Sequence, residues 1–274
     1  MRRLFRVAAM VAAATVWAQA AVAAALELHG RPIQGGLMRG HVAPGCVVTL
    51  DSAEVRVADD GEFVIGFGHD HGEWSIVKAL CEHGPSARRF LRIEQRSYPE
   101  QRIDGLPEAM VTFDEETLAR IRTDQARVDA ARAADSDLAG HRAALLWPAT
   151  GPITGTFGAR RVLNGEPRQP HFGIDIEAAP GTSVRAAAAG RVTLAEELYL
   201  SGKTVILDHG HGLGTSYLHL GEIAVAVGEE VAQGDVLGTV GMSGRATGAH
   251  LDWRITWYRA RLDPALLAGP MPGQ

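Results

Sequence analysis

A chain of 274 residues with 46% apolar residues can bury a full hydrophobic core and has the length of two ordinary domains. Its formal net charge of -5 lends no electrostatic support to a general nucleic-acid-binding role, because such proteins need cationic surface to displace counterions from phosphates. The 32 glycines and 13 prolines fit many turns between short strands.

Residues 1–23 are laid out as a secretory signal peptide. Arg2, Arg3 and Arg6 precede a mostly apolar run over 7–25, and Ala21-Val22-Ala23 offers a small-residue cleavage site. The run is nearly long enough to span a bilayer, so an uncleaved anchor is the competing reading. Its alanine richness makes it weakly hydrophobic and favours cleavage. The expectation is therefore export to the periplasm or beyond, with the membrane touched only through this peptide. Loss of the three arginines takes the mature chain to about -8. Two cysteines, Cys46 and Cys81, then sit in an oxidising compartment, where they form either a disulfide or two buried thiols.

Residues 24–106 read as a small antiparallel β domain. Val47–Leu50, Glu54–Val57 and Glu62–Gly66 are apolar or alternating, and Asp59-Asp60-Gly61 is a turn between the last two. Nothing in this stretch looks catalytic. His69-Asp70-His71 lies between Gly68 and Gly72, which suits a loop better than a metal site. No exposed aromatic series is evident that would make the domain a wall-binding module.

Residues 107–146 form a helical linker. Thr112-Phe113-Asp114-Glu115 has capping-box spacing. Leu118, Ile121 and Val128 fall on one helical face that Gln125 interrupts, a narrow stripe suited to a connecting helix. His141 reads as a surface residue. Pro148 and Gly151 then mark the start of a second domain at 147–266, followed by a short tail over 267–274.

The second domain is again strand and turn, with Gly190–Leu194, Lys203–Leu207 and Asp235–Val240 as strand segments. The chemistry lies here. His171 and Asp175 are an imidazole and a carboxylate four residues apart, both common zinc ligands. His219 lies on a predicted strand. His250 and Asp252 sit at i and i+2 of another, so they project to one side with Leu251 on the opposite face. His209 and His211, flanked by glycines, read as turn residues, and Asp208 as structural.

From about Trp147 to Asp263 the sequence resembles the lysostaphin-type (LytM) bacterial cell-wall metalloendopeptidases. The matching pieces, in order, are Phe157-Gly158, His171-x3-Asp175, Ala179-Pro180-Gly181-Thr182, Gly190, Asp208-His209-Gly210, Tyr217-x-His219-Leu220, Gly228, Gly234-Asp235 and Thr247-Gly248-x-His250-x-Asp252. The resemblance implies a mainly β protein ending in an antiparallel β peptidase domain of this type. It makes His171 and Asp175 metal ligands, His250 the general base and His219 the residue that orients water or steadies the tetrahedral intermediate. Zinc is the implied ion and peptidoglycan peptide stems the implied substrate.

One position departs from the pattern. The family's third ligand is usually a second histidine, and Asp252 stands there instead. Two aspartates and one histidine neutralise a divalent ion, which makes a poorer Lewis acid and shifts preference towards harder ions such as manganese. The competing function is a catalytically silent LytM-like regulator that activates another wall hydrolase.

Overall fold

The computed structural model describes residues 26–105 and 113–273; the expected signal peptide over 1–23 and the expected helix cap at Thr112 lie outside them. The N-terminal half carries β1 (Glu27–His29), β2 (Leu37–His41), β3 (Cys46–Leu50), β4 (Ala53–Val55), β5 (Glu62–Gly66), β6 (Trp74–Cys81), β7 (Ala87–Arg92) and β8 (Glu100–Ile103), followed by helix α1 (Glu115–Arg132). The C-terminal half carries β9 (Ile153–Gly155), β10 (Arg160–Leu163), β11 (Glu166–Arg168), β12 (Ile174–Glu177), β13 (Ser183–Arg185) and β14 (Gly190–Leu198). It continues with β15 (Gly202–Asp208), β16 (Leu213–Ile223), β17 (Glu230–Val231), β18 (Val236–Val240), β19 (His250–Trp257), β20 (Ala260–Leu262) and the short helix α2 (Pro264–Ala268). The fold is mainly β, as the sequence predicts.

Two small antiparallel sheets, ordered β1-β2-β5 and β4-β3-β6-β7, build the N-terminal half. Asp59-Asp60-Gly61 does turn the chain, yet it does not close a hairpin: β4 pairs with β3, and β5 with β2. The turn packs on Val42 instead, where a Cβ on Gly61 would lie 1.8 Å from the Val42 carbonyl oxygen. Cys46 and Cys81 face each other across β3 and β6 and are joined as a disulfide. The outer face of that sheet does expose aromatic side chains: Trp74 and Phe90 are open to solvent, with Arg92 and Arg88 stacked over them. Reading along the chain does not show this, because the two rings come from different strands.

The C-terminal half is built on one large sheet with the path β17-β14-β15-β16-β19-β12-β9, to which β13, β18 and β20 attach. Its central strands β15, β16 and β19 are buried on both faces over most of their length. In β19, Leu251, Trp253 and Ile255 are fully buried on one face, and in β12 so are Ile174 and Ile176. This apolar face is continuous with the N-terminal core: Phe63, Val64 and Phe67 share one cluster with Trp253, Trp257 and Leu262. Gly66 lets the halves approach, since a Cβ there would come within 2.9 Å of the Trp257 Cβ. The remaining residues of β12 and β19 are driven to the other face by the period of two.

Helix α1 lies on that second face. Its N-cap is Asp114, which accepts from the Thr117 N–H at 2.7 Å, two residues later than the capping box predicts. Val128 and Ala131 pack on Leu194, Leu198 and Ile206. Such a small apolar seam needs support, and Asp124 supplies it by accepting from the Tyr199 N–H at 2.7 Å. His141 corrects the sequence reading. It is buried, stacked on His211 with ring centroids 3.9 Å apart, and donates through Nδ1 to the Leu138 carbonyl.

Candidate metal centre

Strand register brings the first three site residues together. Asp175 of β12 lies directly opposite Asp252 of β19, and His171 enters just before β12. One ligand atom from each of His171, Asp175 and Asp252 lies within 4.8 Å of the others, the only such group among the described residues. His69, Asp70 and His71 form no such group; His69 stacks on Tyr98 and His71 bonds Ser75.

The donor atoms themselves indicate what fits between them. Nε2 of His171 and Oδ1 of Asp175 are 3.1 Å apart, but they are not aligned as donor and acceptor. Both are buried without a hydrogen bond, as is His171 Nδ1. Unsatisfied buried polar atoms cost about 1–3 kcal/mol each, so their convergence calls for a cation that satisfies them together. A histidine with carboxylates is a donor set that takes zinc or a harder divalent ion.

The two other histidines line the same place. The His219 and His250 rings lie 4.8 Å apart, and His250 Nε2 is 3.8 Å from Asp175 Oδ1. His250 Nδ1 meets the Gly248 carbonyl at 2.9 Å and His219 Nδ1 meets the Ser243 carbonyl at 2.8 Å. A carbonyl can only accept, so each ring carries its proton on Nδ1 when neutral and leaves Nε2 as an acceptor. Burial holds His219 below the usual histidine range, against the opposing pull of Asp252, so its neutral form is favoured. Its backbone is left-handed, φ 62°, a conformation that costs a non-glycine residue about 1–3 kcal/mol and clusters at functional sites.

Sequence reasoning missed two residues here. Arg254 donates through Nε to Asp252 Oδ1 at 2.9 Å and through a terminal nitrogen to Oδ2 at 2.6 Å. Burial pushes the Asp252 carboxyl up, but the Arg254 guanidinium and His171 outweigh it and hold the group well below the ordinary carboxylate range. Gly173 provides the space, because a Cβ there would lie 2.5 Å from Asp252 Oδ1 and 2.7 Å from Arg254 Cγ. The available signal for Arg254 was its i+2 spacing from Asp252. On the far side of the centre, Arg161 reaches Asp175 Oδ2 at 3.4 Å.

Residues 169–264 match the model of peptidase family M23. That match lies within the C-terminal half and takes in all five candidate site residues. The N-terminal half lies outside that match, yet one solved structure resembles nearly the whole chain: a putative peptidase M23 from Pseudomonas aeruginosa, 28% identical, covering 88% of this chain and 96% of that one, with a TM-score of 0.70. Among curated relatives, the DD-carboxypeptidase/endopeptidase Mpg of Neisseria meningitidis is 38% identical over 102 residues, 37% of this chain and 24% of its own. The murein hydrolase activator EnvC of Escherichia coli is 37% identical over 107 residues, 39% of this chain and 25% of its own. The match therefore spans about a quarter of the length of these curated relatives. The curated relatives thus include both endopeptidases and an activator of murein hydrolases.

Proposed function

We propose that this protein is an exported, metal-dependent endopeptidase that hydrolyses peptide cross-links in peptidoglycan. The observation that carries the reading is the convergence of unsatisfied, buried His171 and Asp175 donor atoms beside Asp252. His171, Asp175 and Asp252 would hold a divalent ion, zinc or a harder ion such as manganese. Bound there, the ion supplies Lewis acidity towards the scissile carbonyl and the attacking water.

The chain's own side chains do the rest. His250 presents an unprotonated Nε2 and takes the proton of the attacking water, then returns it to the leaving amine. His219, neutral and with Nε2 free to accept, orients that water. This favours the first of the two roles that the resemblance allows, since a neutral Nε2 acceptor has no proton to offer an oxyanion. The carbonyls of Gly248 and Ser243 fix both rings so that neither has to reorganise during the reaction.

A regulator that activates another hydrolase is the second reading. It draws on the similarity to EnvC and on Arg254, which engages both oxygens of the third ligand. Metal content and digestion of purified peptidoglycan separate the two. An endopeptidase carries about one ion per chain and releases cross-linked fragments, and chelation stops the release. Folded protein that binds no divalent ion and cuts nothing would overturn the enzyme reading.

A further inference from the structure

We propose that Arg254 is a positioning residue that completes the centre electrostatically: it compensates the charge that Asp252 brings as third ligand and fixes that carboxylate in place. The inference rests on the reading that His171, Asp175 and Asp252 hold a divalent ion.

Consider the charges first. Two aspartates and a neutral histidine around a divalent ion sum to nothing, whereas two histidines and one aspartate leave a single positive charge. Arg254 supplies positive charge at Asp252 from within the fold, at shorter range than Arg161 does at Asp175. Its guanidinium cannot lose its proton under ordinary conditions. At 2.9 and 2.6 Å the contact is a charge-assisted fork. Solvent screens it little, since the Asp252 side chain is 3% exposed and the Arg254 side chain 26%.

The fork also sets orientation. Each carboxylate oxygen has two lone pairs, so a fork that takes one from each leaves both oxygens able to ligate. A carboxylate on a short side chain would otherwise rotate about its last bond. With Arg254 in place, it presents one face to His171 and Asp175. Two features show how the neighbourhood accommodates the pair. Gly173 leaves the space that any side chain would fill. Ser216, opposite Arg254 in register, accepts from the Arg132 guanidinium at 3.3 Å, so Arg254 alone forms the fork on Asp252 while Arg132 acts on it from further off.

A structural ion pair and a charge-compensating one predict different metal behaviour. If Arg254 only supported the fold, its loss would weaken all ions in proportion. If it compensates charge, its loss leaves a carboxylate-rich, uncompensated centre that favours harder ions. The test uses the full mature chain, stripped of metal, with dissociation constants for Zn2+ and Mn2+ measured separately and the metal-free melting temperature as a check of folding. Arg254→Gln should shift the ratio of the two affinities towards Mn2+ by about tenfold. Arg254→Lys keeps the charge without the fork, so it should hold that ratio while weakening both ions by roughly 10–100-fold. An unchanged ratio in a folded Arg254→Gln protein that still binds metal overturns the inference and leaves the enzyme reading standing. Wild type that binds neither ion removes the enzyme reading itself.

A second pair of variants avoids burying a lone carboxylate. Asp252→His alone strands Arg254 beside an imidazole and should bind Zn2+ at least about tenfold more weakly than Asp252→His with Arg254→Gln. Equal Zn2+ affinity in those two proteins would also overturn the proposal.

Discussion

Histidines gather at both ends of β16, and the two groups are held in different ways. At the end that joins the turn, His141, His209 and His211 point their rings at backbone carbonyls: Leu138, Ala189 and Arg56, with Thr215 Oγ1 as a further partner of His209. At the other end, His171, His219 and His250 surround two carboxylates in register across neighbouring strands. Burial lowers the pKa of all three histidines in the first group, so they stay neutral and serve as packing. Burial alone therefore does not distinguish a working histidine from a structural one. The distinction is whether buried donor atoms that lack a hydrogen bond converge on carboxylates.

Four measurements can break or sharpen that contrast. The largest effect is expected for His171→Ala, which should release the bound ion and lower peptidoglycan cleavage by about 10³-fold, roughly 4 kcal/mol of barrier; full metal content with undiminished cleavage would remove His171 from the centre. His219→Ala should retain the ion and lose about 100-fold in kcat, roughly 3 kcal/mol. A matching loss of metal would make His219 a ligand instead.

At the other end of the strand, His209→Ala should leave metal content unchanged and cost about 2–3 kcal/mol of stability, through a cavity and the stranded Thr215 hydroxyl. Denaturant titration measures it, and a change in metal content would contradict the division between the two groups. The smallest effect concerns pH. Burial brings His141 down to about 4, whereas in the unfolded chain it titrates near about 6.5. Its contribution to stability is then fully present above about pH 6.5 and is lost as pH falls from there towards 4. Melting temperatures over that window should fall less steeply for His141→Phe than for wild type, and parallel slopes would rule out this source of acid sensitivity.

How much of this was legible beforehand depends on the range of the interaction. Alternation along a strand is local, so the common face of His250 and Asp252 and the apolar face of β19 could be read from order alone. The joining of Cys46 to Cys81 could not, because it depends on the register of β3 against β6, which the sequence left open. His141 was misjudged because its burial comes from a stack with His211 seventy residues away. The helix cap moved from Thr112 to Asp114 because two capping-competent residues lie within three positions and local spacing does not rank them. Arg254 sat in plain view at i+2 from Asp252, but its importance appears only once Gly173 is seen to clear the space beside both.

The continuity of the apolar cluster across the two halves carries a practical consequence. Trp257 and Leu262 rest on Gly66, the Asp263 N–H donates to the Gly35 carbonyl at 2.8 Å, and Arg96 pairs with the Asp263 carboxylate at 2.9 Å. Severing the chain ahead of the C-terminal half would uncover the back of β19, the strand that presents His250 and Asp252. The N-terminal sheets thus serve as a foundation slab against the reverse side of that strand, and loosening the slab should disturb the alignment of His250 and Asp252.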